Sequence, residues 1–138
     1  MINEADEPAL HRAFYLEKMR GIYVLIDPEQ IGGKDPLELA KRVLEGGAGA
    51  IQIRDKRLNL RETLLISERL LKLCREYRAT CIINDRVDVA ILIGADGVHL
   101  GQQDLPATSA RQILKPWQII GTSNALFAPS CFPRVNNN

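Results

Sequence analysis

From Gly21 onward, short runs of consecutive apolar residues alternate with longer segments in which apolar and charged positions recur at helical spacing. IYVLI at 22–26 is apolar throughout, the pattern of a strand buried on both faces of a parallel sheet. Asp35-Pro36-Leu37-Glu38 then combines an N-cap, a first-turn proline and a third-position glutamate, so a helix starts there and ends at Gly46-Gly47. Asn59 and Glu62 repeat the cap signal before LRETLLISERLLKLCREY. The apolar residues of that segment fall in an arc of about 180° with the charged ones opposite, so the helix buries one side. Strands at 50–53, 80–83, 96–100 and 118–121 complete five βα-type repeats, an α/β pattern. The GGAGA at 46–50 precedes a strand, whereas a dinucleotide-binding glycine loop follows one, so it reads as a helix stop and tight turn. Ahead of the repeats, residues 1–20 are expected to form an appended helix, with Asp6-Glu7-Pro8 as its start and Leu10, Phe14 and Met19 on one face.

Composition narrows the setting. With 138 residues, 46% hydrophobic and 25% charged, the chain has the make-up of a globular protein of single-domain size. A formal charge of +1 argues against nucleic-acid binding driven by bulk charge. Cys74, Cys81 and Cys131 form no C-x-x-C pair and are odd in number, which points to reduced thiols and a cytoplasmic location. No apolar run approaches transmembrane length, and the acidic N-terminus MINEADEP has no signal-peptide core.

The candidate chemistry gathers in two segments. Residues 82–106, IINDRVDVAILIGADGVHLGQQDLP, put Asn84 and Asp85 at the end of one strand and Asp104 just after the next. Adjacent parallel strands lie about 4.8 Å apart, so the two aspartates can reach one cation. Mg²⁺ commonly takes one or two protein carboxylates and completes its shell with water and phosphate oxygens. Spacing alone favours a plainer reading: Asp85 as the N-cap of a helix beginning near Arg86, and Asp104 as the cap of the next, with Leu105-Pro106 behind it. The second segment, Gln52-Ile53-Arg54-Asp55-Lys56, ends the strand 50–53 with an amide, a guanidinium and an ammonium. Arg and Lys are the usual donors to phosphate oxygens, although taken alone the cluster reads as solvated surface charge.

Taken together, QIRDK at 52–56, IINDRVDVA at 82–90, GADGVHLGQQDLP at 94–106 and IIGTS at 119–123 resemble the thiamine phosphate synthase family, in the family's order, over roughly residues 22–123. Asp55 stands where the family more commonly has Glu, and Gln103 where it commonly has an acid. The resemblance implies the joining of hydroxymethylpyrimidine diphosphate to a thiazole phosphate, with release of pyrophosphate. It implies that Gln52, Arg54, Lys56, Asn84 and Ser123 bind substrate, that Asp85 and Asp104 hold Mg²⁺, and that Lys56 and Ser123 take a direct part in the chemistry. A pyrimidine methylene cation captured by the thiazole nitrogen requires no protein nucleophile, and the chain shows no Ser-His-Asp or Cys-His grouping. His99 is expected to line the mouth of the site rather than act as a base.

The implied fold is a (β/α)8 TIM barrel, which typically takes about 250 residues and at least about 200. With 138 residues, the chain is expected to hold an incomplete barrel of about five βα units: a helical extension at 1–20, a partial barrel domain at 21–123, and a divergent, disordered tail at 124–138. The alternative is a five-stranded open sheet of flavodoxin-like order. A partial barrel keeps the diphosphate and metal half of the site, so its activity is expected to be impaired and its open sheet edges to promote self-association. Competing functions are the related thiazole tautomerase and a non-catalytic remnant or interaction module; the intact QIRDK and IINDR segments favour the synthase.

Overall fold

Four of the five apolar runs are four-residue strands, and the third carries one residue more. The computed structural model describes residues 21–123 together with Glu17 and Met19. Its elements run β1 (Tyr23–Ile26), α1 (Pro36–Glu45), β2 (Ala50–Ile53), α2 (Leu60–Glu76), β3 (Thr80–Asn84), α3 (Val87–Ile93), β4 (Gly97–Leu100), α4 (Ala107–Ile113) and β5 (Ile119–Thr122). The expectations for 1–20 and 124–138, including Cys131, lie outside the described residues, apart from Glu17 and from Met19, which packs against the sheet.

All neighbouring strands are parallel and stand in chain order, β1-β2-β3-β4-β5, in an open sheet. Every helix therefore carries the chain to the next strand along, always in the same direction. This is the winding of a barrel wall. A flavodoxin-like sheet has the order 2-1-3-4-5 and reverses direction, so that alternative is excluded.

Within each strand, alternate residues face opposite ways. Ile26, Ile51, Cys81, Ile83, Val98 and Leu100 join Ala40 and Leu44 of α1, Leu70 and Cys74 of α2, Val89 and Ala90 of α3 and Ala110 of α4 in one buried core. All four helices thus cover one face. The opposite face carries a separate small cluster of Tyr23, Ala50 and Ile82.

The cap signals on α1 and α2 hold. Asp35 accepts from the Leu37 N–H at 3.0 Å, and Asn59 and Glu62 form both bonds of a capping box at 3.0 and 2.9 Å. The capping readings of Asp85 and Asp104 do not. Arg86 occupies the N-cap of α3 and Pro106 that of α4, neither with a side-chain cap bond. The reason is local: Asp85 has φ of 62°, which turns its side chain away from the helix, and Asp104 accepts from the Gly101 N–H instead. Asp88, in the first turn of α3, is paired with Arg86.

The base of the sheet is fixed by buried polar groups. Asp96, fully buried, accepts from the Cys81 N–H at 2.7 Å and from Arg75 Nη1 at 2.9 Å, tying α2 and β3 to the start of β4. Gln118, also fully buried, donates to the Ala90 and Ala95 carbonyls at 3.0 and 2.9 Å, which locks the start of β5. Gly97 leaves room for the β4–β5 contact, since a Cβ there would sit 2.3 Å from the Ile119 carbonyl oxygen. Cys74 and Cys81 are buried free thiols, and no helix among the described residues is long and apolar enough to cross a membrane.

Asp96→Ala leaves the buried Cys81 N–H without its acceptor. It is expected to lower unfolding free energy by about 1–3 kcal/mol, the cost of an unsatisfied buried donor. Urea unfolding of the variant beside the parent chain measures it, and a loss below about 0.5 kcal/mol, the scatter of an ordinary surface substitution, rules the clamp out.

Candidate active site

The concave face of the sheet becomes polar toward the strands' carboxyl ends. Gln52 on β2, Asn84 on β3 and His99 on β4 lie on that face, and Arg54 and Ser123 continue it just beyond β2 and β5. The left-handed turn at Asp85 and the loop after β4 bring in Asp85 and Asp104. All seven residues singled out in the sequence, Gln52, Arg54, Lys56, Asn84, Asp85, Asp104 and Ser123, line one open cavity of about 480 Å³.

Two cations stand at its rim. Arg54 donates to Asp27 at 3.1 Å, which holds the guanidinium at the end of β1–β2, while Lys56 is exposed. Asp55 takes no part in the cavity wall; it folds back on Arg57, accepting from Nε and Nη2 at 2.9 Å each, and this pairing holds its carboxyl below the usual range.

The two cavity carboxyls are hydrogen-bonded to each other. Burial, then the bond and the like charge of Asp104, push Asp85 up to about 6. Asp104 moves the other way, held down first by the hydrogen bond it takes from Asp85 and then by the Gly101 N–H at 2.6 Å. Above a pH of about 6 the pair no longer shares a proton, and full ionisation sets like charges against each other in a half-buried site. A divalent cation would relieve that repulsion. Among the described residues no group of three or more His, Cys, Asp or Glu that could hold a metal gathers, so this pair is the candidate donor set. That donor set fits Mg²⁺, which completes its shell with water and phosphate oxygens.

Two cavity residues are held by partners not evident in the sequence. His99 Nε2 lies 2.8 Å from Ser123 Oγ, and burial lowers the imidazole's pKa, keeping it neutral at pH 7. Gly121 makes that approach possible, because a Cβ there would sit 3.1 Å from His99 Nδ1. Gln52 Nε2 donates to Tyr23 Oη at 2.6 Å. Tyr23, Leu25 and Asp27 are contributors that the sequence motifs do not mark. The available signal is parity: counting by twos along each strand places Tyr23 and Leu25 on the same face as Gln52, and His99 with Asn84.

A singly wound parallel sheet with a cation-rimmed cavity at its carboxyl ends is the wall of a βα barrel, whose sites lie at that end. Residues 22–127 match the family model described as thiamine monophosphate synthase. The chain belongs to that family. It is 46% identical over 102 residues to a thiamine-phosphate synthase of Moorella thermoacetica, covering 74% of this chain and 49% of that protein. It is 44% identical over 103 residues to one of Methanospirillum hungatei, covering 75% and 50%. A thiamine phosphate pyrophosphorylase structure from Pyrococcus furiosus superposes with a TM-score of 0.68 at 39% identity, over 82% of this chain and 51% of that one. The chain thus spans about half the length of the curated relatives it matches.

The carboxyl pair makes Asp85→Asn a sharp test. With a folded-state pKa of about 6 against an ordinary value of 3.8, Asp85 binds more protons folded than unfolded in that interval. Stability from this group is therefore greatest at low pH and falls as pH rises through the interval. In metal-free buffer, Asp85→Asn is expected to be more stable than the parent at pH 7, with the gap closing toward pH 4 as both carry an uncharged group. Thermal melts of both chains across that range in EDTA decide it. A helix cap would instead leave stability about unchanged and show no such pH-dependent gap, since Asn caps a helix about as well as Asp.

Proposed function

We propose that the chain carries the diphosphate-binding half of a thiamine phosphate synthase site, joining hydroxymethylpyrimidine diphosphate to a thiazole phosphate. The convergence of all seven residues on one cavity carries this reading. Arg54 and Lys56 donate to the diphosphate oxygens, Asn84 and Ser123 add neutral donors beside them, and Asp85 and Asp104 would hold Mg²⁺. When bound, Mg²⁺ would supply charge neutralisation for a departing diphosphate. The carbon–oxygen bond breaks with its electron pair passing to pyrophosphate, and the thiazole nitrogen closes the new bond to the methylene carbon. The chain's own task is to hold donors where charge develops, because groups already oriented toward that charge need no reorganisation as the bond breaks. His99, neutral and engaged with Ser123, orients the hydroxyl rather than moving a proton.

The same reading places the protein in the cytoplasm, where its small-molecule substrates are, with no nucleic-acid or membrane partner. It also includes self-association: among the described residues β1 and β5 each pair on one side only, leaving main-chain edges to template pairing between copies. Light scattering on the purified chain is expected to show species larger than a monomer, increasing with concentration; a monomer at all concentrations refutes this part.

The central test is calorimetric titration of pyrophosphate with and without Mg²⁺. Binding is expected to require the cation and to weaken by at least about tenfold in Asp104→Asn, a ligand loss being no milder than the 10- to 100-fold cost of losing a second-shell partner. Equal affinity in all conditions would leave the aspartates without a metal role and the reading without support.

A further inference from the structure

We propose that Asp27 is a positioning residue for Arg54, setting the guanidinium toward an anionic ligand before that ligand arrives; the inference rests on the diphosphate-substrate reading. Arg54 Nη1 donates to Asp27 Oδ2 at 3.1 Å. Arg54 lines the cavity and Asp27 does not, so the carboxylate meets the guanidinium from outside the cavity wall. Both ends of the bridge are anchored to backbone. The Arg54 N–H donates to the Ile26 carbonyl at 2.9 Å, which continues the β1–β2 ladder past the ends of the strands. Asp27 Oδ1 accepts from the Glu29 N–H at 3.0 Å and the Asp27 carbonyl from the Gln30 N–H at 2.9 Å, a turn with the buried Pro28 at its second position.

A partly exposed ion pair of this kind adds little to folding stability. Its consequence is conformational. The Arg54 side chain is 39% exposed and long, so without a partner it samples many rotamers, and a ligand has to order it on binding. One donor spent on Asp27 leaves the rest of the guanidinium fork for phosphate oxygens. Arg54 also acts through space on Asp85, so a guanidinium set loose is drawn toward the cavity carboxyls instead of toward a ligand. Asp27 holds it at the β1–β2 edge. The carboxylate of Asp27 repels an anion as well, but that repulsion is screened over about 8 Å at physiological ionic strength, whereas the restraint on Arg54 is not.

Asp27→Asn keeps the side chain's shape and its acceptor for the Glu29 N–H, while turning an amide NH₂ toward Arg54, donor against donor. Inorganic pyrophosphate is titrated, in Mg²⁺ and physiological salt, into the full 138-residue chain, Asp27→Asn, Arg54→Ala and the double variant. Asp27→Asn is expected to weaken pyrophosphate about two- to tenfold, the cost of ordering one long side chain on binding. In the Arg54→Ala background the same substitution is expected to change nothing, because the residue it acts through is gone. The Arg54 Nε–H signal in ¹H–¹⁵N spectra, identified by its absence in Arg54→Ala, is expected to report an ordered side chain in the parent and a mobile one in Asp27→Asn, with the backbone spectrum preserved. A loss that persists in the Arg54→Ala background, unchanged or tighter binding by Asp27→Asn, or an Arg54 equally ordered in both chains would overturn the role of Asp27 and leave the diphosphate reading standing. A parent chain that binds no pyrophosphate, or an Arg54→Ala chain that binds it equally well, would overturn both.

Discussion

Successive residues of a strand face opposite ways, and all five strands here run parallel and in chain order. Those two conditions jointly send Ile51, Cys81, Ile83 and Val98 to the helices and leave Gln52, Asn84 and His99 on the concave face. Parallel orientation then brings every carboxyl end to one side, so that residues distant in sequence meet. A register slip of one residue in β3 would bury Asn84 under α2 and α3 and turn Ile83 into the cavity. The clamps at the other end, Asp96 on the Cys81 N–H and Gln118 on the Ala90 and Ala95 carbonyls, oppose such slips from below. The site's geometry therefore depends on polar contacts at the far end of the same strands.

Charge in the cavity is arranged so that it is not internally satisfied. Arg54 is paired with Asp27 rather than with either cavity aspartate, and the aspartates are hydrogen-bonded to each other. Lys56 lowers the pKa of both, a through-space effect of a single exposed cation. Cations and carboxyls that had neutralised one another in close pairs would present little to a charged ligand. Held apart, they leave both signs of charge open on the cavity wall. The left-handed backbone at Asp85 is part of this arrangement. That conformation is unusual for a residue other than glycine, although aspartate tolerates it, and it diverts the carboxyl from a capping position into the cavity.

By itself, the sequence determined the number and order of the βα units, the caps of α1 and α2, and the segments that supply the cavity residues. Each of these is local: apolar runs, Asp35 with Pro36, and Asn59 with Glu62 act over a few residues of chain. The family resemblance rests on segments of the same local kind, 52–56, 82–90, 94–106 and 119–123, and it extended their reach by implying roles for those residues. Spacing could not separate a capping aspartate from a cavity aspartate, because both readings place the residue just ahead of a helix, and only the backbone turn at Asp85 and the Gly101 N–H on Asp104 decide between them. Tertiary structure alone decided which strands are neighbours, and hence excluded the flavodoxin-like order. It alone joined Tyr23 to Gln52, His99 to Ser123 and Arg54 to Asp27. Those pairs are separated by 29, 24 and 27 residues, and no local signal encodes them. They exist because parallel strands laid side by side convert distance along the chain into contact across the sheet.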